Sequence, residues 1–244
     1  MKNTMIIIPA RLKAKRFPNK PLAKIKGIPM IMHAFNRAKE SKVGDVFVAT
    51  PDDEIFEIVE NSGGKAILTK KNHYSGTDRI YEAYIANEKN KNVDIIINLQ
   101  GDMPNIRSNS ISKLEKLMRY KKSDIGTLAS RLRNSEEILD KNIVKVQLDE
   151  DLTEDNFVVA KDFFRIKKDL KNDKIYHHIG IYAFTNVALS KYVKLSRSKL
   201  EIERNLEQMR AMENNMNISV GLSDSAPLGI DTQDDLDKII KEMS

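Results

Sequence analysis

The chain has 244 residues, 41% of them hydrophobic and 31% charged, and no cysteine; this suits a folded protein with a sizeable core and excludes disorder, a disulfide framework and thiolate chemistry. The formal charge is +6 with 6% aromatic residues and no tryptophan, a poor match to a nucleic-acid binder, which interleaves aromatics with its basic surface. The excess is also local: residues 1–40 hold ten Lys or Arg against one acid, +9, so the remaining residues sum to −3.

In chain order, strand-like runs at 4–9 (TMIIIP), 45–50 (DVFVAT), 65–69 (KAILT) and 93–99 (VDIIINL) alternate with helix-like stretches at 29–41, 52–62, 77–89 and 108–119. This rhythm predicts βαβ units, and unbroken apolar strands predict a parallel sheet covered on both faces. Ligands of such sheets sit beyond the carboxyl ends of the strands, which directs attention to the polar segments after Pro9, Thr50, Thr69 and Leu99. From residue 124 four strand candidates follow (IGTLAS, IVKVQLD, NFVVA, YHHIGIYAF), some expected to pair antiparallel in a smaller lobe. One amphipathic helix is predicted from Lys199 to Asn215, with Ile202, Leu206, Met209, Met212 and Met216 along one side. A strand NISVGL, a GIDT turn and a helix near 233–242 close the chain. The N-terminal apolar stretch Met5 to Ile8 is too short for a signal core, and no run approaches the roughly 18 apolar residues of a membrane span. The expectation is a cytoplasmic protein with neither membrane nor nucleic acid as partner.

Five cations, Arg11, Lys13, Lys15, Arg16 and Lys20, follow the first strand within ten residues. Neither the P-loop nor the dinucleotide glycine pattern is present, so side chains must do the binding: forked donors on Arg11 and Arg16 and a compact ammonium on Lys20 suit a triphosphate. SGTDR (75–79) precedes a helix; Ser75 or Thr77 can cap it, Gly76 allows a tight turn and Arg79 can project to the sheet edge. LQGDMP (99–104) leaves Asp102 at a strand end, where a hard carboxylate suits Mg²⁺, although an Asp in a Gly-Pro turn also serves the turn itself. In LGIDTQDDL (228–236), Asp231 or Thr232 is either an N-cap or, for Asp231, a second metal carboxylate. Alternation in HHIGIYAF (177–184) places His178, Gly180 and Tyr182 on one strand face and His177 on the other.

The opening PARLKAKRFPNKPLAKIKGIPMI resembles that of the 3-deoxy-manno-octulosonate (KDO) cytidylyltransferases, whose usual form is P-A-R-x-x-S-x-R-L/F-P-x-K-P-L followed by Gly-x-Pro-Met-Ile. SGTDR, LQGDMP, HHIGIY, LEIERNLEQMRAME and LGIDTQDDL are similar to five more motifs of that family, in the same order. The resemblance implies an α/β fold with a nucleotide-binding, doubly wound mixed sheet, like the nucleotide-diphospho-sugar transferases. It is expected as a single domain over 1–244, with a smaller α+β lobe for sugar binding and dimerisation inserted at about 124–215. Arg11, Arg16 and Lys20 are expected on the triphosphate of CTP, and Pro9, Ala10, Ser75, Gly76, Arg79 and Gln100 in the rest of the nucleotide pocket. Asp102 and Asp231 are expected to share Mg²⁺, and catalysis is assigned to Arg11, Lys20, Asp102 and Asp231. Lys161, His178, Tyr182, Glu207 and Gln208 are expected on an acidic sugar. The sequence departs from the family at Lys13 and Ala14, at Met103, and at Ala160 and Lys161, the best counterparts of a Ser-Arg pair; Lys161 keeps a charge without the guanidinium fork.

The activity implied is transfer of CMP from CTP to the anomeric hydroxyl of a 3-deoxy-octulosonate-type acid in lipopolysaccharide synthesis, with release of pyrophosphate, by a homodimer. An alternative acid is 8-amino-KDO or another nonulosonate. The alternative of another class is a nucleic-acid-binding module built on the basic N-terminal third, which would bind DNA or RNA with steep salt dependence.

Overall fold

Strand β1 (Thr4–Pro9) is buried along its length up to Pro9, as its unbroken run of Met5, Ile6, Ile7 and Ile8 requires. The computed structural model describes residues 3–13, 17–87, 92–121, 123–167, 174–224 and 226–243. Beyond β1 the chain makes a single 3₁₀ turn at Lys20–Leu22 and a short antiparallel ladder of β2 (Lys24–Ile25) and β3 (Ile28–Pro29). There follow α1 (Met30–Glu40), β4 (Asp45–Thr50), α2 (Asp53–Asn61), β5 (Ala66–Leu68), α3 (Gly76–Ala86), β6 (Ile95–Asn98) and α4 (Ser108–Lys121). Each follows the predicted element within a few residues, although 88–89 of the predicted third helix lie outside the described residues.

Contacts divide the chain into two units, residues 1–112 with 227–244 and residues 113–226. In the first, β5, β4, β1 and β6 lie side by side and all parallel. The chain winds outward from β1 through β4 to β5, then returns to place β6 on the other flank of β1. That reversal is a topological switch point, and ligands of doubly wound sheets bind at the carboxyl ends of the strands there.

The second unit holds β7 (Ile125–Ser130), β8 (Lys145–Leu148), β9 (Phe157–Phe164), β10 (Lys174–Thr185), α5 (Asn186–Tyr192), α6 (Lys199–Arg204), α7 (Met209–Glu213) and β11 (Ile218–Leu222). Strand β7 pairs antiparallel with β10 and parallel with β11. Strand β9 runs antiparallel to both β11 and β8, and the first residues of β10 pair with β8. The predicted mixture of strand directions is therefore present. The single helix predicted over Lys199–Asn215 is not: α6 stops at Arg204, Asn205 turns left-handed at φ 52°, and α7 begins only at Met209. Asparagine is among the few residues that enter this region readily. The break also undoes the predicted stripe, since Leu206, Met209 and Met216 are buried while Ile202 is exposed.

The last helix, α8 (Gln233–Glu242), belongs to the first unit. Its Leu236 and Ile239, with Ile230 before it, pack into one buried cluster with Ile25 and Met30. This apolar contact brings residues near 231 back to the start of the chain. Among the described residues no helix is long and apolar enough to cross a membrane.

Candidate functional site

In the first unit the cationic segment, the LQGDMP turn and the GIDT turn meet. Lys20 Nζ donates to Asp102 Oδ2 at 2.8 Å and to the Ile230 carbonyl at 2.7 Å, and lies 3.5 Å from Asp231 Oδ1. Ile230 N donates to the Asp102 carbonyl at 3.1 Å, tying the two turns together through the backbone. Gly101 lets the LQGDMP turn pack closely on the core, because a Cβ there would stand 2.9 Å from Ile31 Cδ1 and 3.4 Å from Ile8 Cγ2. The capping question in the last motif is also answered. Thr232 is the N-cap of α8 and shares a capping box with Asp235, whose Oδ2 also accepts from Asp231 N at 3.1 Å. Asp231 is therefore not the cap, and its carboxylate points to Lys20.

Ser75 caps α3: its Oγ accepts from Asp78 N at 3.1 Å and donates to Asp78 Oδ2 at 2.9 Å. Gly76 packs against Pro9, which a Cβ would meet at 3.3 Å. Ala10 is buried and its N donates to the Ala49 carbonyl at 2.9 Å, while Arg11 is exposed. Arg79 is only 3% exposed and donates from Nη1 to Thr69 Oγ1 at 2.5 Å and to the Lys70 carbonyl at 2.9 Å. Its pKa is lowered by burial and by the charge of Arg11, with Asp52 and Glu82 opposing. Gln100 Nε2 donates to Asn98 Oδ1 at 3.0 Å, and Asn98 Nδ2 to Thr77 Oγ1 at 3.3 Å. Arg16, with Ala14 and Lys15, lies outside the described residues.

Among the described residues no three His, Asp or Glu side chains gather as metal ligands. The fit of a divalent ion rests on Asp102 and Asp231. Two hard carboxylates already converge on one cation, the Lys20 ammonium, and Mg²⁺ is held by one or two carboxylates with phosphate oxygens and water completing its shell. The donor set fits.

In the second unit β10 carries His178 and Tyr182 with ring centroids 5.4 Å apart. They share a side although the register against β7 shifts between Ile179 and Tyr182. His178 Nε2 lies 3.1 Å from Thr127 Oγ1, and the Thr127 hydroxyl lies 2.7 Å from the Ile181 carbonyl. The single hydroxyl proton goes to that carbonyl, so Thr127 accepts the proton on His178 Nε2. Burial pushes the His178 pKa down to about 3, helped by the nearby His177, and the ring stays neutral. Tyr182 is raised well above the usual phenol value by burial and by the charges of Glu207 and Tyr192. Its hydroxyl is buried with no hydrogen-bond partner among the described residues. His177, on the other side, lies beside Glu137.

Glu207 and Gln208 occupy the segment between α6 and α7. Tyr192 Oη donates to the Glu207 carbonyl at 2.9 Å, and Gln208 is buried. The segment is framed by a buried ion pair: Arg210 donates to both Glu201 carboxylate oxygens at 2.8 and 2.7 Å, and lies over the Tyr192 ring. Burial raises the Glu201 pKa, but hydrogen bonds from Arg210 and Arg197 prevail and hold it low. Lys161 Nζ pairs with Asp149 at 2.8 Å on the exposed surface. The register of β9 against β8 shifts at this point, with Gln147 opposite Asp162 and Leu148 opposite Ala160, leaving Lys161 unopposed.

Several residues of these networks were not singled out in the sequence. Asp52 Oδ2 accepts from Leu12 N at 2.8 Å, tethering the basic segment to the end of β4. Its signal was the polar stretch after Thr50. Glu82 accepts from Lys70 N and from His73 Nε2, holding the stretch that Arg79 also binds. Asn98, Thr127 and the Glu201–Arg210 pair left no local trace, because their roles depend on partners distant in the chain.

A cytidylyltransferase family model matches residues 5–218. The chain is 41% identical to a 3-deoxy-manno-octulosonate cytidylyltransferase of Brucella ovis, over 96% of this chain and 93% of that one. It is 42% identical to one of Rhodopseudomonas palustris, over 96% and 95%. The solved structure of CMP:2-keto-3-deoxy-manno-octonic acid synthetase complexed with CTP superposes with a TM-score of 0.88 over 98% of both chains, at 35% identity. This chain belongs to the 3-deoxy-manno-octulosonate cytidylyltransferases, nucleotidyltransferases with the nucleotide-diphospho-sugar transferase-like α/β fold.

Proposed function

We propose that the protein joins CTP to 3-deoxy-manno-octulosonate: the anomeric hydroxyl oxygen bonds to the α-phosphorus, the bond from that phosphorus to the bridging oxygen breaks, the hydroxyl loses its proton, and pyrophosphate leaves. The observation that carries this reading is the convergence of Asp102, Asp231 and Lys20 at the switch point of the first unit. Such transfers depend on positioning and charge stabilisation more than on covalent work by the protein. Arg11, Arg16 and Lys20 neutralise the triphosphate, and Pro9, Ala10, Ser75, Gly76, Arg79 and Gln100 shape the rest of the nucleotide site. Asp102 and Asp231 hold Mg²⁺, which when bound stabilises the charge on the phosphates.

His178, Tyr182, Glu207 and Gln208 hold the sugar acid. The Tyr182 hydroxyl supports this, since an unpaired buried hydroxyl is unfavourable by about 1–3 kcal/mol until a ligand group meets it. Lys161 contributes a charge toward the acid only if it leaves Asp149. The enzyme works in the cytoplasm as a homodimer with no nucleic-acid or membrane partner.

The test is pyrophosphate release from CTP with a panel of acids that includes KDO, its 8-amino analogue and a nonulosonate, in the presence of Mg²⁺. KDO is expected to give the highest kcat/KM, and Asp102→Ala and Asp231→Ala are each expected to abolish release while the chain stays folded. Either variant retaining nearly full activity would remove the metal assignment, and a preference for another acid would reassign the substrate.

A further inference from the structure

We infer that the Lys20 ammonium holds the carboxylate pair against free divalent metal and gives it up when nucleotide arrives, so that CTP and metal load together. The inference rests on the metal reading above and deepens it. Lys20 is not a loose surface cation: its side chain is 17% exposed, and two of its three N–H donors are taken by Asp102 Oδ2 and the Ile230 carbonyl. The ammonium reaches an oxygen of each carboxylate that a shared ion would use, 2.8 Å from one and 3.5 Å from the other.

The electrostatics set the consequence. Asp102 and Asp231 together carry two negative charges, and Lys20 cancels one of them. A dication approaching the pair therefore meets a net single negative charge and a like charge at hydrogen-bond distance from one of its ligands. Ammonium and metal cannot both sit between the same oxygens. A triphosphate changes both sides of this balance: it offers Lys20 new anionic partners within reach of its flexible four-carbon stem, and it adds its own oxygens to the metal shell. Lys20 is then the element through which metal and nucleotide favour each other, and linkage requires the effect to be equal in both directions.

The experiment titrates Mn²⁺ into the full chain without nucleotide, reading free ion from its electron paramagnetic resonance signal, for wild type, Lys20→Met and Lys20→Gln. Circular dichroism confirms that each is folded. Removing the ammonium is expected to tighten Mn²⁺ binding about tenfold, inside the roughly 5–150-fold range of such couplings. Adding Asp102→Asn to Lys20→Met is expected to remove the gain. Equal affinity in wild type and both Lys20 variants overturns the inference, as does a gain that survives Asp102→Asn, since the extra ion would then lie elsewhere. Failure of the metal reading itself is read separately, from pyrophosphate release that survives Asp102→Asn and Asp231→Asn.

Discussion

Asp52 offers the sharpest prediction, because two physical effects of its carboxylate on nucleotide binding have opposite signs. Its Oδ2 accepts from Leu12 N across forty residues of chain and so fixes the backbone next to Arg11. Its negative charge also stands near Arg79, where it partly offsets the positive field that a triphosphate would seek. A hydrogen bond to a charged group contributes about 1.5–3 kcal/mol, and partial exposure here favours the lower end. A surface charge at close range in water is worth about 1 kcal/mol at most. The tether should win. Asp52→Ala is expected to lower kcat/KM for CTP about tenfold, since roughly 1.4 kcal/mol corresponds to a factor of ten.

Asp52→Asn keeps a carbonyl acceptor for Leu12 N and drops the charge, so it is expected to stay within about threefold of wild type, on the same free-energy scale. The melting temperature of Asp52→Asn should move little, because Asp52 makes no side-chain cap to α2 and its charge gains about 0.3–1 kcal/mol from the helix dipole. Steady-state kinetics with CTP varied at saturating sugar acid, then the reverse, separate the effects. The reasoning is refuted if Asp52→Ala leaves the KM for CTP within a factor of two, or if the KM for the sugar acid rises in parallel.

The second unit yields three more predictions. His178 has a folded pKa near 3 against about 6.5 unfolded. The unfolded chain therefore binds the extra proton between these values, and stability present above pH 6.5 falls as pH drops toward 3, by at most about 1.4 kcal/mol per pH unit. Urea unfolding across that window checks the slope, which His178→Phe should flatten. Arg210→Met leaves Glu201 buried without its main partner and is expected to cost about 3–5 kcal/mol, whereas the double variant Glu201→Leu with Arg210→Met should recover much of it; a single variant within about 1 kcal/mol of wild type contradicts the assignment. Thr127→Val removes the acceptor for His178 Nε2–H and is expected to raise the KM for the sugar acid while sparing that for CTP. Thr127→Ser should restore it, and nitrogen chemical shifts of the ring report the tautomer directly.

Most of the first unit was readable because its information is local. A buried parallel strand such as TMIIIP declares itself by an unbroken apolar run, and the carboxyl ends of such strands are where ligands collect, which drew attention to Lys20 and Asp102, while Asp231 rested on the family resemblance. Residues 199–215 were misread because leucine and methionine at helical spacing carried the pattern, while one asparagine in a left-handed conformation decided the outcome. Nothing in the apolar spacing records that Glu201 and Arg210 must meet across that break. The register shift between β8 and β9 beside Lys161 is likewise nothing that strand alternation records.

The hydrogen bond from Lys20 to the Ile230 carbonyl closes a loop of 210 residues. Contacts so distant in sequence form late, because the entropy of closing the intervening chain must be met before they return anything. During synthesis the Rossmann-like strands emerge first, yet the carboxylate pair stays incomplete until the segment leading into the last helix docks on Ile25 and Met30. On the proposed metal reading a nascent chain can thus acquire most of its sheet while remaining catalytically silent, and turnover becomes a reporter of the final step of folding.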